Sequence, residues 1–380
     1  MKPAKRLIIL LLSFNMLFLS GCWNYREVDG MSMVTAFAID QGMGAYKYHV
    51  TFEFLNLADN KTSSKLLETD GDTIFDCIRN AIGKSEKKLF FSECKVVVIN
   101  KDLASQGVAP LLDWLVRDSE PRINRSLVIY KEKTAAEILR QKPVTNQLIG
   151  VEVGSMIALN SSKLGESADV RLYQAINLMA GDGISLILPA IKITETESGK
   201  TLELDGTAVF KQDKLIGYLN RSESKYLLFI NDQIKGGLIV TSPKDDNDNL
   251  SLEIKTSQTK ITPVITNNTL TMNIKIKVDT DLGEDQTSVD YSTLSGIKEA
   301  EKSASKTLEY GVNNVIKKVQ SQYGSDIFGF GSAIYRDKPD LWKKVKPNWD
   351  ETFRSLKYTI SADIVITDTA TTKAKIKVGE

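Results

Sequence analysis

The chain has 380 residues, of which 49 are Lys or Arg and 48 are Asp or Glu, and its formal net charge is +1. This balance argues against nucleic-acid binding, which relies on a basic face, and a hydrophobic content of 42% is typical of globular proteins. With three cysteines and one histidine, we expect no disulfide scaffold, no cysteine metal site and no site that needs two histidines. The length indicates two or three domains.

The first 21 residues have the pattern of an export signal. Lys2, Lys5 and Arg6 form a basic start, and residues 7–19 are apolar except for two positions. As a helix, this run would span about 20 Å, which is short of the roughly 30 Å hydrocarbon core of a bilayer. We therefore predict a signal peptide over residues 1–21 rather than a membrane-spanning helix.

The signal ends in Leu19-Ser20-Gly21-Cys22, which has the form of a bacterial lipobox: apolar, small, small, cysteine. We predict that Cys22 is lipidated, with a diacylglyceryl thioether on its sulphur and an acyl group on its nitrogen. The alternative is an ordinary signal peptide with a chance cysteine at its end. Because two or more acyl chains hold a protein durably, the lipid would fix the mature chain to the extracytoplasmic face of a membrane.

The N-terminal region, residues 22–200, is predicted as α/β with a mixed sheet and one or two subdomains. Alternating or continuous apolar residues predict strands, helical spacing predicts helices, and polar stretches predict loops. The predicted elements are strands at 33–40 and 45–56, a loop at 58–72, a helix at 73–88 capped by Asp72, a strand at 94–100, a helix at 108–116, a strand at 126–130, a helix capped by Thr134, an irregular helical stretch at 146–182 and a strand at 184–196.

The C-terminal region, residues 201–380, is predicted as a β-meander followed by a long helix. The meander comprises a hairpin at 202–220, a short helix at 222–234 and strands at 236–242, 250–265 and 269–282. A helix over 295–323 has apolar residues every three or four positions and Gly324 as its C-cap, and residues 355–370 form a closing strand pair or long edge strand. The predicted fold class is α+β and multi-domain, with mixed sheets flanked by helices and a long C-terminal helix packed on a sheet.

Residue patterns that carry catalytic chemistry are largely missing. There is no Walker A, G-x-S-x-G or HExxH sequence, and a glycosidase, which needs only two carboxylates, has no motif to test. His49 shares the polar face of a predicted strand with Thr51 and Glu53, so we expect it to be solvated. Cys77 and Cys94 could pair, although two buried free thiols are the expected outcome. We predict no catalytic residue, no bound metal and no cofactor.

The tryptophans fall into two groups. Trp342 and Trp349 lie seven residues apart on one predicted amphipathic helix, interrupted at Pro347, and we expect them in the core rather than on an exposed docking surface. Trp23 directly follows the lipidation site. It could seat the first residues at headgroup level, or belong to a flexible tether.

Two blocks of sequence resemble the Ger(x)C lipoproteins, the C subunits of bacterial spore germinant receptors. The first block is Cys22-Trp23-Asn24-x-Arg26-Glu27-Val28-Asp29, followed by a strand that ends near Ile39-Asp40. The second block is Asp326-Ile327-Phe328-Gly329-Phe330-Gly331, then Pro339, Trp342, Trp349 and Phe353 before the closing strand. The resemblance extends from Cys22 to about Gly379.

This resemblance implies a non-enzymatic protein, held by its lipid on the outer face of the spore inner membrane. There it would join an A subunit and a transporter-like B subunit to trigger germination, without binding the nutrient itself. Only the lipidation of Cys22 is carried over from the family as a residue role. An extracytoplasmic solute-binding lipoprotein is the alternative, and a surface hydrolase a weaker one. Solute binders typically have repeated βα units in two similar lobes, unlike the predicted C-terminal half.

Overall fold

The computed structural model describes residues 3, 5, 30–58, 61–118, 120–145, 148–197, 199–243, 249–287, 291 and 293–368. Cys22 and Trp23 therefore lie outside the described residues, as does the tail after Asp368. Within the described ranges, no helix is both long and apolar enough to cross a membrane.

A nine-stranded mixed sheet dominates the first part of the chain. Its strands are β1 (Met31–Gln41), β2 (Tyr48–Ala58), β3 (Lys61–Gly71), β4 (Lys88–Phe90), β5 (Val96–Asn100), β6 (Ser126–Tyr130), β7 (Ile187–Thr196), β8 (Gly199–Lys211) and β9 (Lys214–Leu219). They are arranged in the order β3-β2-β1-β5-β6-β7-β8-β9, with β4 beside the start of β1. The central strands β1, β5, β6 and β7 are parallel, whereas the outer pairs are antiparallel.

Helices cover both faces of this sheet. They are α1 (Ile74–Ile82), α2 (Lys101–Gln106), α3 (Ala109–Arg117), α4 (Ala136–Leu139), α5 (Ile149–Lys163), α6 (Leu172–Ala180) and α7 (Arg221–Ile230). Phe37 and Ile39 of β1 face the core that contains α1 and α3, while Ala36 and Ala38 face the core that contains α4 and α5. Because both faces are buried, the central strands are almost continuously apolar.

The second sheet is built around a long hairpin. Its strands are β10 (Leu238–Thr241), β11 (Leu250–Thr266), β12 (Thr269–Asp285) and β13 (Lys357–Asp368), in that spatial order. Asn267 and Asn268 form the hairpin turn with φ of 49° and 60°, a left-handed conformation that Asn tolerates better than most residues. β13 pairs in parallel with β12 and is a single edge strand.

Helix α8 (Leu294–Lys318) packs along the second sheet, and its last turn widens into a π-helical turn over Val319–Tyr323. Its buried stripe comprises Ala300, Ala304, Leu308, Val312 and Val315. Gly324 ends the helix, as predicted, and its φ of 56° is the left-handed conformation that glycine commonly adopts at a helix C-terminus. Three short helices follow: α9 (Phe330–Asp337), α10 (Pro339–Val345) and α11 (Trp349–Ser355).

Side chains of α8 also reach both edges of the second sheet. On one side, the Thr241 hydroxyl of β10 shares hydrogen bonds with the hydroxyls of Ser303 (2.8 Å) and Thr307 (2.9 Å). On the other side, three amides of β13 donate to α8: Ala362 to Glu309 (2.9 Å), Ile364 to Ser305 (3.3 Å) and Ile366 to Glu301 (3.0 Å). Two strand residues and four helix residues both advance about 6–7 Å, so the donors and acceptors stay matched along the contact.

The predicted fold class is confirmed: the chain is α+β, with two mixed sheets and a long C-terminal helix. Residues 58–72 were expected to form a loop or an excursion from the fold, and the loop is wrong: Lys61–Gly71 form strand β3, which pairs antiparallel with β2. The predicted boundary at residue 200 stays a prediction. Strands on both sides of residue 200 pair within the first sheet, and one core cluster extends from this sheet into the second.

Candidate functional site

A buried carboxylate organises the second of the two sequence blocks. Asp326 lies in the loop between the π-helical turn and α9, and its two oxygens accept four hydrogen bonds. Oδ1 accepts the amides of Phe328 (3.1 Å) and Phe330 (3.2 Å), and Oδ2 accepts the amide of Gly331 (2.8 Å) and the indole nitrogen of Trp349 (3.2 Å). Burial raises the pKa of Asp326 to about 6, and the four donors act in the opposite direction. The carboxylate therefore fixes the first turn of α9 and the orientation of Trp349.

Glycines in this block allow backbone segments to touch. A Cβ on Gly331 would lie 2.6 Å from the Cα of Gly183 and 2.8 Å from the Trp342 ring. The contact is completed by the amide of Ser332, which donates to the Gly183 carbonyl at 2.9 Å. Gly329 is required for a different reason: its φ is +71°, a left-handed conformation that residues with a side chain rarely adopt. The glycines thus join α9 to the segment that precedes β7.

The aromatic residues of the block form one buried cluster. The rings of Trp342 and Trp349 meet edge to face at 5.2 Å, and Trp349 also contacts Phe353 at 6.3 Å. Phe328 and Phe330 pack on Phe353 from the other side. The prediction of a core position for both tryptophans is confirmed, although α10 and α11 are separate helices joined by a 3₁₀ turn. This is a structural cluster.

A cleft of about 550 Å³ lies beside Asp326, between the end of α6 and the β8–β9 turn. Charged side chains at and near this cleft pair with one another: Lys211 with Asp350 (2.6 Å) and Lys346 with Asp182 (2.7 Å). Among the described residues, no group of His, Cys, Asp or Glu is arranged to hold a metal ion. Within the described residues, the side chains that line the cleft therefore form ion pairs and backbone hydrogen bonds and no cluster of metal ligands.

His49 is buried, so the expectation of a solvated histidine is wrong. Its Nδ1 lies 2.9 Å from Asp70 Oδ1, and its Nε2 lies 3.7 Å from Glu68 Oε2. Asp40 stands opposite His49 in the β1–β2 register. The reason for the burial is tertiary, since α4 and α5 cover the face of the sheet on which the polar residues of β2 lie.

The carboxylates near His49 serve as helix caps. Asp40 accepts the amides of Ala135 (2.6 Å) and Ala136 (2.9 Å) at the start of α4, and burial raises the pKa of this carboxyl group. Glu53 accepts the amides of Ile149 and Gly150, both at 2.8 Å, at the start of α5. A negative charge at a helix N-terminus is stabilised by the unpaired amides and the helix dipole. Asp40 and Glu53 therefore have a structural role as helix caps.

Cys77 and Cys94 are free and buried, as expected from the sequence. Burial raises the pKa of the Cys77 thiol to about 12 and that of Cys94 to about 11, so both remain protonated at neutral pH. The lipidation of Cys22 stays a prediction because that residue lies outside the described part of the chain.

Sequence reasoning missed the roles of Asp326, Asp40 and Glu53. The only available signal for Asp326 was an acidic residue shortly before a helix start, which is a common capping pattern and does not distinguish a buried site from an exposed one.

Comparison with known proteins gives a consistent result over nearly the whole chain. Two protein-family profiles match: "Spore germination protein N-terminal domain" over residues 24–193, and "Spore germination B3/GerAC like, C-terminal" over residues 205–370. Spore germination protein B3 of Bacillus subtilis (strain 168) is 28% identical, with 96% of this chain and 98% of the relative covered. Spore germination protein KC of the same organism is 23% identical, with 92% of each chain covered.

A solved structure has the same fold. The crystal structure of the GerBC protein matches with a TM-score of 0.57 and 26% sequence identity, over 87% of this chain and 96% of that protein.

Proposed function

This chain belongs to the GerAC-like family of spore germination proteins, and from that premise we propose that it acts as the lipid-anchored C subunit of a nutrient germinant receptor. In this proposal, Cys22 carries the lipid and holds the protein on the extracytoplasmic face of the spore inner membrane. The subunit assembles there with the A and B membrane subunits and helps to trigger germination. The observation that supports the proposal most is that the two family matches follow the lipobox in order and together extend from residue 24 to residue 370.

The proposed role is assembly rather than catalysis. The most buried carboxylates of the described chain, such as Asp40, Glu53 and Asp326, accept hydrogen bonds from helix N-termini. A catalytic acid or base needs free oxygens that can reach a substrate, whereas the oxygens of these carboxylates accept hydrogen bonds from the protein itself. Of the charged residues that line the cleft, Lys211 and Asp350 pair with each other, and Asp213 and Asp326 accept backbone amides.

The alternative of a solute-binding lipoprotein gains no support from the fold. Solute binders place their ligand between two similar lobes, whereas the two sheets of this chain differ in strand number, nine against four, and in strand order. Calorimetric titration of the mature chain with amino acids and sugars separates the two proposals. We expect no binding heat, and tight binding of one nutrient would favour the solute binder.

The anchor is tested by Cys22→Ala in the spore-forming host. We expect the variant to fold normally, to leave the membrane fraction in a high-salt wash and to abolish germination through this receptor, because one residue carries all of the acyl chains. Cys94→Ala is the matched control, since it removes a thiol that is buried and cannot receive a lipid. The proposal fails if Cys22→Ala still fractionates with membranes after a high-salt wash when the partner subunits are absent, or if mass spectrometry finds an unmodified thiol on the mature N-terminal residue.

A further inference from the structure

One end of the first sheet lies close to the predicted lipidation site along the chain. The parallel strands β1, β4, β5 and β6 all begin at this end, and α1 terminates there. Seven residues separate Cys22 from Gly30, where the described chain enters β1. The eight steps of chain span at most about 28 Å when fully extended. With Cys22 lipidated, the start of β1 must therefore lie within about 28 Å of the membrane surface.

The opposite end of the sheet is much farther from the anchor along the chain. β1 has 11 residues, which corresponds to a length of about 36 Å. The β1–β2 turn, which contains Met43, lies at that far end. A tether shorter than the strand favours an orientation in which the start of β1, and not the turn, faces the bilayer.

The surface at the start of β1 combines lysines with a shallow groove. The groove has a volume of about 560 Å³, and it is lined by apolar side chains that include Met33, Phe54 and Leu67 and by the charged residues Lys65, Lys84, Glu86 and Lys87. In the described part of the chain, the three groove lysines form no ion pair with a carboxylate. Lys88, the next residue along, pairs with Glu120 at 3.0 Å. Among the groove residues, Lys88 and Glu120, four charges are positive and two are negative.

Exposed apolar side chains accompany these lysines. Ile82, at the end of α1 and two residues before Lys84, is 44% exposed. Ile123, just before β6, is 53% exposed, and Tyr173, in the first turn of α6, is 42% exposed; the Tyr173 amide donates to the Ile123 carbonyl at 3.2 Å. On a bilayer, such apolar side chains would enter the headgroup region while the neighbouring ammonium groups contact phosphates.

We propose that this surface, the amino-end face defined by Lys65, Ile82, Lys84, Lys87 and Lys88, rests on the anionic phospholipid headgroups of the membrane to which Cys22 is anchored. The inference depends on the lipid anchor of the proposed function. It adds an orientation: the first sheet stands with the amino ends of its parallel strands on the bilayer and its opposite end pointing away. An acidic protein surface would satisfy the same lysines, and the experiments below separate that occupant from lipid.

The first experiment measures lipid binding without the anchor. The mature polypeptide, residues 22–380 with Cys22→Ser, is titrated with vesicles of phosphatidylcholine alone and of phosphatidylcholine mixed with phosphatidylglycerol. We expect binding to the anionic vesicles only, lost at high salt because the charges are screened. The triple variant Lys84→Gln, Lys87→Gln, Lys88→Gln should bind on the order of a hundredfold more weakly, at about fivefold for each lysine near an anionic surface.

The matched control removes the same charge elsewhere. Lys260, Lys275 and Lys277 are exposed on the β11–β12 hairpin, with Lys260 opposite Lys275. Replacing all three by Gln should leave vesicle binding unchanged. Equal binding to neutral and anionic vesicles, or equal losses in the two triple variants, would overturn the proposal. In that case the lysines would be assigned to a protein partner, while the anchor itself would still be decided by mass spectrometry of Cys22.

The second experiment tests orientation in the lipidated protein. An environment-sensitive fluorophore is attached through Lys87→Cys or, as control, through Met43→Cys at the far end of the sheet; the native Cys77 and Cys94 are buried and protonated. In vesicles that contain nitroxide-labelled headgroups, we expect strong quenching at position 87 and little at position 43. Equal quenching at the two positions, or stronger quenching at position 43, contradicts the proposed orientation.

Discussion

Replacing Asp326 by Asn tests whether the buried carboxylate controls the glycine-aromatic block. The substitution keeps the shape of the side chain and exchanges one acceptor oxygen for an NH₂ group. Four donors point at the native carboxylate, and the amide oxygen can serve only the two that face it. The NH₂ group would then meet the remaining two donors and leave them without an acceptor.

The size of the effect follows from two opposing contributions. Each hydrogen bond to a charged group stabilises the fold by about 1.5–3 kcal/mol, so the loss of two costs roughly 3–6 kcal/mol. Burial raises the pKa of Asp326 from 3.8 to about 6. Removing this buried charge therefore increases the free energy of unfolding by about 3 kcal/mol at neutral pH. We therefore expect Asp326→Asn to lower the free energy of unfolding by about 2 kcal/mol at about pH 7.

The pH dependence gives the sharper test. Because the pKa of Asp326 is higher in the folded state than in the unfolded state, the folded protein binds this proton more tightly. Its contribution to stability is fully present below about pH 4 and is lost as the pH rises through about 6, a change of about 3 kcal/mol. The Asn variant has no such group, so its deficit relative to the native protein should grow as the pH is lowered.

Urea unfolding followed by tryptophan fluorescence, repeated at several pH values between about 4 and 7, measures this difference. Asp350→Asn is the matched control, because that carboxylate is half exposed and pairs with Lys211 at the surface. A deficit that is constant over the whole pH range would refute the assignment of a raised pKa to Asp326. An Asn variant as stable as the native protein at every pH would refute its organising role.

Three further outcomes are expected. Glu309→Ala should lower the free energy of unfolding by about 1–3 kcal/mol and speed hydrogen exchange at the Ala362 amide, because this amide loses its acceptor. Unchanged exchange at Ala362 would contradict this expectation. Gly331→Ala should lower the free energy of unfolding by about 1–3 kcal/mol, because the new Cβ would lie 2.6 Å from the facing backbone, whereas Gly30→Ala, with nothing within 4 Å, should be neutral in thermal unfolding. The Cys77 thiol, with its pKa raised to about 12, should react with a disulfide reagent only after unfolding, and rapid labelling of the native protein would show that it is accessible.

Patterns that depend on a single element were predicted well. The stripe of α8 and the apolar runs of β5 and β6 occur where expected. In each case the burial of the element leaves a periodic or compositional signal in a short stretch of sequence. The fold class follows from these elements.

Features that depend on distant parts of the chain were not predictable in this way. β3 is polar because it is an edge strand, and nothing in its sequence indicates the pairing with β2. His49 is buried by helices that begin about a hundred residues later. Asp326 has its role because Trp349, in a separate helix, reaches back to it. The lipobox is different, because a peptidase recognises it as a linear sequence, and Cys22 could therefore be proposed without any knowledge of the fold.

Because side chains of α8 cover the outer edge of β13, this strand is protected from pairing with neighbouring protein chains. An uncovered strand edge offers a row of amides to any neighbouring chain, and such edges promote aggregation. Proteins fixed to a membrane diffuse in two dimensions and meet one another at high effective concentration, which makes that hazard greater. With its amides at Ala362, Ile364 and Ile366 already bonded within the same molecule, β13 cannot recruit a strand from an adjacent copy. If the chain is anchored as proposed, contacts between adjacent copies at this edge of β13 would have to be made by side chains, which can be selective about their partners.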